Sequence, residues 1–307
     1  MSNENNLQLL RDAVLRVGRH AVGYDNSPAS SGRGITLNTY RPAHATALSP
    51  IVLVQHGVMR NGDDYRDFWI PAADEHGLVI IAPTFSNEQW PDVMGYNNGN
   101  LLVTTRRDEL ADTAAVRPPE EWSYTVITRL VDELKASGVL TTQPLYLFGH
   151  SAGGQFAHRL MSVLTPGVFT GVAAGNPGWY TLPRLDLPFP EGLARTPADD
   201  NSLARLFACP LTILAGDQDI ETNEPYLPSE PAALRQGPHR YARARHYHAS
   251  AQAEAARRGL PLNWQLHTVP GIGHDGRAMS AVCAHLWFNG RLPDAAQLAA
   301  LAGQHTA

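Results

Sequence analysis

Ser151 stands in a five-residue segment, GHSAG, in which Gly149 precedes it and Gly153 follows it by two positions. An apolar run over 145–148 leads into this segment, and an amphipathic helical pattern over 154–164 follows it. A sharp turn from a buried strand into a helix strains the backbone at its apex, and flanking glycines avoid the clashes that a Cβ would cause. The segment therefore predicts a serine nucleophile exposed at a helix N-terminus. The simpler alternative is a glycine-lined structural turn.

A serine hydroxyl needs a base to accept its proton and an acid to orient that base. The segment GDQD, after an apolar run, offers Asp217 and Asp219, and Glu221 is a weaker third candidate. A glycine-rich loop further along the chain offers His274 as the base. Serine, acid and histidine follow one another in this order in one architectural class of serine hydrolases. Asp217 could instead brace its own turn through backbone amides.

Two backbone amides are needed to bind the oxyanion that forms during acyl transfer. Ala152, directly after the serine, is expected to supply one of them. The loop after the apolar run IVLVQ is expected to supply the other, with Val58 favoured over Met59. His56 in this loop is expected to organise it rather than to act as a second base.

The predicted chemistry is two-step acyl transfer, which needs no metal ion or organic cofactor. The clearest alternative is a metal site built from His239, His246, His248 and His285. His246 and His248 are two positions apart and would face different directions on a helix, so a solvated histidine-rich helix is the favoured interpretation. The arginines of this segment are expected to form its charged outer face, from which one could reach a substrate carboxylate: Arg240, Arg243 and Arg245.

The elements that must position these residues alternate along the chain. Short apolar runs predict strands buried on both faces, and an alternating run predicts a strand near the sheet edge at 263–271. Helical patterns fill the gaps, and Asp275 is expected to cap the last of them. The order predicts an α/β fold with a mostly parallel central sheet and helices on both faces. The predicted strands are 50–57, 77–85, 144–151, 169–177 and 209–219, with antiparallel HAVGY and GITLNTYRP at one edge, and the predicted helices are 120–138, 154–164, 238–259 and 276–290.

Two long segments, 86–119 and 178–202, interrupt this alternation and are rich in Pro, Gly and aromatic residues. Both follow strand ends, where open α/β sheets bind their ligands, so both are expected to wall the active-site crevice. Their aromatic residues could stack on a substrate or simply pack the loops onto the core. Trp90 and Trp179 are the better substrate-binding candidates, ahead of Tyr96 and Tyr180. The whole chain, 1–307, is expected to form one domain with these loops at the active site.

Composition narrows the possible partners. The chain has 307 residues, 43% of them hydrophobic, and a formal net charge of −5 without a basic block, which disfavours nucleic acid and anionic membranes. The apolar runs are far shorter than the ~20 residues of a membrane helix. The first residues show no secretory signal, so the location stays open and cytoplasmic is only the default. Cys209 and Cys283 are expected to be buried and reduced. Nothing in the sequence indicates the oligomeric state.

The chain resembles the α/β-hydrolase-fold serine esterases, and more narrowly their poly(3-hydroxybutyrate) depolymerase-like and feruloyl-esterase-like branch. The similar segments are VQHGVMRNGDDYRDFW, GLVIIAPTFSNEQWP, RLVDELKA, YLFGHSAGGQFAHRL and VPGIGHDGRAM, which together span most of residues 50–290. In related sequences the catalytic acid commonly lies three residues past the glycine that ends its strand. That glycine is Gly216 here, so the resemblance favours Asp219.

The resemblance implies a serine esterase in which Ser151, Asp219 and His274 form the triad. Branch members often carry a cysteine where this chain has Val58, a change that keeps the backbone amide. Secreted polymer depolymerases usually add a Thr- or Ser-rich linker and a polymer-binding domain, and nothing in the sequence corresponds to either. A soluble ester or a hydroxyalkanoate-type oligomer is therefore the expected substrate. A peptidase or amidase on the same fold and a non-catalytic binding protein stay open as alternatives.

Overall fold

The computed structural model describes residues 3–25, 32–103 and 114–303. Within them eight strands form one sheet in the order β1-β2-β4-β3-β5-β6-β7-β8. The strands are β1 Gly18–Asp25, β2 Gly34–Arg41, β3 Ile51–Gln55, β4 Val79–Thr84, β5 Leu145–His150, β6 Gly171–Gly175, β7 Leu211–Gly216 and β8 Gln265–Val269.

The strands of the sheet run in the predicted directions. β1 and β2 pair antiparallel at one edge, and β2 pairs antiparallel with β4. All pairs from β4 through β3, β5, β6 and β7 to β8 are parallel. The predicted edge position of β8 is confirmed, but its alternation fails at the end, since Thr268 is exposed and Val269 is buried against the second core cluster. Six parallel strands bring their carboxyl ends, and the loops that follow them, to one rim of the sheet.

Helices cover both faces of this sheet. The four predicted helices are confirmed, whereas the sequence patterns do not predict the short or terminal ones. Of the described helices none is long and apolar enough to cross a membrane. The helices are α1 Asn3–Leu15, α2 Gly62–Phe68, α3 Ile70–His76, α4 Asp92–Gly95, α5 Ser123–Ala136, α6 Ala152–Leu164, α7 Asp200–Ala208, α8 Pro231–Gln236, α9 Arg240–Arg257, α10 Gly276–Asn289 and α11 Ala295–Gly303, and a 3-10 turn spans Pro119–Glu121.

The central strands are apolar throughout because both of their faces are buried. In β3, Ile51 and Leu53 belong to one hydrophobic cluster, and Val52 and Val54 belong to the other. Each fully buried aliphatic side chain of this kind contributes about 1.5–3 kcal/mol to the free energy of unfolding. The two clusters pack against opposite faces of the strands. The loops at the carboxyl rim therefore start from well-packed strand ends.

The two cysteines behave as expected. Cys209 and Cys283 are both buried and free. Burial raises the pKa of the Cys209 thiol to about 12, so the thiol stays protonated and unreactive at neutral pH.

Candidate active site

The turn between β5 and α6 holds Ser151 in a backbone conformation that few non-glycine residues adopt. Its φ is 56° and its ψ is −117°. A Cβ on Gly149 would lie 2.0 Å from the carbonyl oxygen of Gly153, and one on Gly153 would lie 2.2 Å from the carbonyl oxygen of Gln55. Both distances are far shorter than a van der Waals contact, and the backbone atoms involved cannot move away. Only glycine therefore fits at both positions. The strain is thus imposed by close packing of two strands and a helix around the serine.

The structure brings Ser151, His274 and Asp219 together from three separate loops. His274 Nε2 lies 3.0 Å from Ser151 Oγ, and His274 Nδ1 lies 2.7 Å from Asp219 Oδ2. The Asp219 side chain is 1% exposed and that of His274 is 23% exposed. The loops meet because β5, β7 and β8 all end at the same rim. In this arrangement an imidazole can take a proton from a hydroxyl while a buried carboxylate fixes its tautomer.

The other acidic candidates have different surroundings. Asp217 Oδ1 accepts hydrogen bonds from the amide of Gly271 at 2.8 Å and from the side chain of Gln218 at 3.0 Å, so it braces the histidine-bearing loop. Glu221 is exposed. Asp275 caps α10, as predicted, by accepting from the amides of Arg277 and Ala278. Spacing alone left Asp217 and Asp219 as alternatives, and their contacts separate them.

Asn176 is a buried residue of the rim that no motif in the sequence indicates. Its Nδ2 donates to the carbonyl of Gly273 at 2.8 Å, and its Oδ1 accepts from the amide of Gly216 at 2.9 Å. It therefore joins the end of β7, which precedes Asp219, to the loop that carries His274. The only sequence signal is its place directly after β6.

The two residues expected to supply the oxyanion amides come from different parts of the chain. Ala152 is the first residue of α6, where helical amides have no acceptor within the helix. Val58 follows β3, and both residues line a cavity at Ser151, whereas the side chain of Met59 is largely exposed. His56 organises this loop as predicted. Its Nδ1 donates to the carbonyl of Gly57, and its Nε2 accepts from a backbone amide next to β4. Burial lowers the pKa of His56 to about 3, so the ring is neutral.

Comparison with known proteins identifies the family. Over 98% of each chain, this protein is 54% identical to LpqC of Bordetella parapertussis, a poly(3-hydroxybutyrate) depolymerase, and the two structures superpose with a TM-score of 0.90. The chain belongs to the poly(3-hydroxybutyrate) depolymerase-like family of serine esterases. The predicted α/β-hydrolase fold is thereby confirmed, and the chain is an enzyme of the carboxylic ester hydrolase class.

Other relatives of the esterase are more distant. Poly(aspartic acid) hydrolase-1 from Sphingomonas sp. KT-1 is 33% identical, with a TM-score of 0.79, over 89% of this chain and all (100%) of that chain. The bifunctional acetylxylan esterase/xylanase XynS20E of Neocallimastix patriciarum is 22% identical over 161 residues, which are 52% of this chain and 20% of that protein. The matched segment thus covers only a fifth of the length of this curated relative. No family model matches the chain.

Ser151 of the esterase lies where two cavities meet. The small cavity, of about 80 Å³, is bordered by Ala152, Gln155 and Trp179 together with both long loops. The large cavity, of about 470 Å³, is bordered by His274 and by Arg240. The two share Val58, Ser151 and Tyr226. Both long loops therefore reach the serine, as expected. Residues 104–113 of the first loop lie outside the described residues.

The two tryptophans proposed for substrate binding have different positions. Trp179 borders the small cavity, where the guanidinium of Arg159 lies 5.2 Å from its ring centre. Trp90 borders neither cavity: it is fully buried, packs edge-on against Phe85 and donates its indole N–H to the carbonyl of Gly34. The expectation for Trp90 is wrong, because the loop after β4 folds this side chain back onto the core.

Tyr96 and Tyr180 also serve packing. Tyr96 stacks on His56, with ring centres 4.4 Å apart, and Tyr180 stacks on Tyr247 at the same distance. Both are fully buried. Neither borders the two cavities at Ser151.

A second expectation, that the arginines of α9 form its charged outer face, is wrong for two of the three. Arg245 is exposed as predicted, but Arg240 and Arg243 are buried. Arg243 donates to two backbone carbonyls, while Arg240 forms ion pairs with Asp219 and Glu224. Periodicity identified the helix but not its inward face, because buried charge depends on partners that are distant in sequence.

The histidines considered as metal ligands have local roles. His239 caps α9 by accepting from the amide of Ala242, and His285 contacts the carbonyl of Arg291. Across 3–25, 32–103 and 114–303 no group of three or more His, Cys, Asp or Glu side chains is placed to hold a metal ion.

Proposed function

We propose that the esterase hydrolyses soluble carboxylic esters through an acyl-enzyme on Ser151, with His274 as general base and Asp219 as the acid that orients it. The observation that carries this proposal is the continuous contact from Ser151 Oγ through both nitrogens of His274 to Asp219 Oδ2, at 3.0 and 2.7 Å. These are hydrogen-bond distances, which proton transfer between a nucleophile and its base requires.

The proposed reaction has two steps. Ser151 Oγ attacks the ester carbonyl as His274 takes its proton, and the amides of Val58 and Ala152 bind the oxyanion. His274 then protonates the alcohol oxygen as the C–O bond breaks. In the second step a water gives a proton to His274 and attacks the acyl carbon, after which the proton returns to Ser151 and the acid leaves. Each oxyanion donor contributes about 3–4 kcal/mol to the transition state.

The two cavities suggest how the ester is oriented. His274 has to reach the oxygen of the leaving alcohol, and it borders the large cavity. Ala152 has to reach the carbonyl oxygen, and it borders the small cavity. We therefore assign the alcohol to the large cavity and a short acyl group to the small one.

A hydroxyalkanoate-type oligomer is the substrate class that this orientation favours. In such an oligomer the leaving alcohol is itself a hydroxy acid and carries a carboxylate. Arg277 is exposed, borders the large cavity and lies over the ring of Phe68 at 5.0 Å. We expect the guanidinium of Arg277 to contact this carboxylate. The name of the 54% identical LpqC agrees with this class.

An amidase is the second candidate. The 33% identical relative is named for the hydrolysis of poly(aspartic acid), a polyamide. The same triad can cleave either bond, since both reactions pass through an acyl-enzyme.

Matched ester and amide substrates test these proposals. Wild-type protein is expected to hydrolyse p-nitrophenyl butyrate far faster than the corresponding p-nitroanilide, and Ser151→Ala to abolish both activities. Thr142→Ala, an exposed hydroxyl before β5 at the opposite rim, is the control and is expected to keep full activity. Faster turnover of the anilide would favour the amidase. Turnover of the ester by Ser151→Ala would refute the acyl-enzyme.

A further inference from the structure

We propose that Arg240 is a positioning residue of the esterase: held between Asp219 and Glu224, it fixes the carboxylate that orients His274. This inference rests on the proposed function, because it assigns Asp219 its role there.

The contacts of Asp219 show how its carboxylate is held. Oδ2 accepts from His274 Nδ1 at 2.7 Å, while Oδ1 lies 3.2 Å from Nη1 of Arg240. Each oxygen thus has a different partner, and rotation of the carboxylate would break at least one hydrogen bond. Arg240 is the first residue of α9, whose N-terminus is capped by His239, so the backbone that carries the guanidinium is fixed as well.

Burial makes a counter-charge necessary. The side chains of Asp219 and Arg240 are 1% and 2% exposed. A buried carboxylate without a partner is costly, and a general base has to be uncharged to accept a proton, so His274 in that role offers no counter-charge before the reaction starts. Arg240 therefore stabilises ionised Asp219 in the resting enzyme.

Glu224 balances the positive charge that Arg240 brings. Its carboxylate pairs with the same Nη1 and is 30% exposed, at the wall of the large cavity. Asp219, Arg240 and Glu224 together carry one net negative charge, which complements the imidazolium that forms in the transition state. Without Glu224, Arg240 would neutralise Asp219, and the imidazolium would form beside a pair with no net charge.

Three other ionisable groups that face this cluster keep their charge state near neutral pH: His150, Arg243 and Tyr180. Burial, and then the charges of His274 and Arg240, holds the pKa of His150 well below its usual range, although its ring lies 4.7 Å from that of His274. Burial lowers the pKa of Arg243 to about 10 and raises that of Tyr180 well above 10.0. From α10, Asp275 and Arg277 border the same large cavity. Asp275 is engaged in capping that helix.

Three substitutions separate positioning from a purely structural role: Arg240→Met, Arg240→Lys and Glu224→Gln. In Arg240→Met, kcat on p-nitrophenyl butyrate is expected to fall roughly ten- to a hundredfold, with KM little changed. The acidic limb of its pH profile is expected to move to higher pH, since a positive charge near the imidazolium is lost. Arg240→Lys is expected to restore part of kcat. Glu224→Gln is expected to move the same limb to lower pH, by a few tenths of a unit, with kcat within about threefold.

One control variant and one folding measurement accompany these substitutions. Arg245→Met removes an exposed arginine from the same helix and is expected to leave kcat and the pH profile unchanged. Circular dichroism melts show whether Arg240→Met is folded, and the partly exposed Glu224→Gln tests the charge argument if it is not. Opposite shifts of the acidic limb of the pH profile in Arg240→Met and Glu224→Gln support the proposal. Unchanged pH profiles in both would overturn it, whereas turnover of the ester by Ser151→Ala would overturn the proposed function instead.

Discussion

At the scale of single residues, the choice of acid depends on contacts that sequence spacing does not contain. Asp217 and Asp219 follow the same glycine two residues apart, yet Asp217 binds the amide of Gly271 and Asp219 binds His274. Both carboxylates support the histidine-bearing loop, but only Asp219 touches the imidazole.

Substitution of each aspartate by asparagine tests this distinction. Asp219→Asn is expected to lower kcat roughly 10³–10⁴-fold, because an amide at this position favours the wrong imidazole tautomer. Asp217→Asn is expected to leave kcat within about threefold, because its side-chain oxygen can still accept from Gly271. The kcat of both variants on p-nitrophenyl butyrate is the measurement, and a larger loss in Asp217→Asn would reverse the assignment.

At the scale of elements, the turn from β5 to α6 depends on two glycines packed against backbone. The segment GHSAG and the apolar run before it were enough to predict this turn, because the strand, the turn and the helix follow one another directly in the sequence. The partners of Arg240 could not be predicted in the same way, because Asp219 and Glu224 meet α9 only after the chain has folded. Periodicity gave the position of α9 but not which of its arginines are buried.

Gly153→Ala is expected to destabilise the protein by at least about 3 kcal/mol, or to prevent folding, since its Cβ would overlap the backbone of β3. Gly167→Ala is the matched control, because a Cβ there has no neighbour within 4 Å. Chemical denaturation gives the free energy of unfolding of both variants. Equal stabilities would show that the turn has room that the structure does not indicate.

At the scale of the whole molecule, the fold brings three strand ends to one rim and two long loops over it. The alternation of strands and helices predicted the rim, since strand and helix patterns are repeated many times along the chain. The conformations of the two long loops could not be predicted in this way. Trp90 and Trp179 both follow strands closely, yet Trp90 packs onto the core and Trp179 borders the small cavity. Loop paths depend on long-range packing that no local pattern encodes.

The two tryptophans therefore give different expectations. Trp179→Ala is expected to enlarge the small cavity and to shift the preferred p-nitrophenyl ester toward longer acyl chains. Trp90→Phe is expected to keep the acyl preference and to lower the free energy of unfolding by about 1–3 kcal/mol, because the carbonyl of Gly34 loses its indole donor. The measurement is kcat/KM for the p-nitrophenyl esters from acetate to octanoate. An unchanged acyl preference in Trp179→Ala would contradict the assignment of the small cavity to the acyl group.

The most direct test of the central claim is covalent labelling of the proposed nucleophile. A fluorophosphonate probe is expected to add one label per chain, mapped to Ser151 by peptide mass spectrometry. Labelling is expected to be lost in Ser151→Ala and strongly slowed in His274→Ala, since the hydroxyl then lacks its base. A folded wild-type protein that takes up no label, or takes it at another residue, would contradict the account.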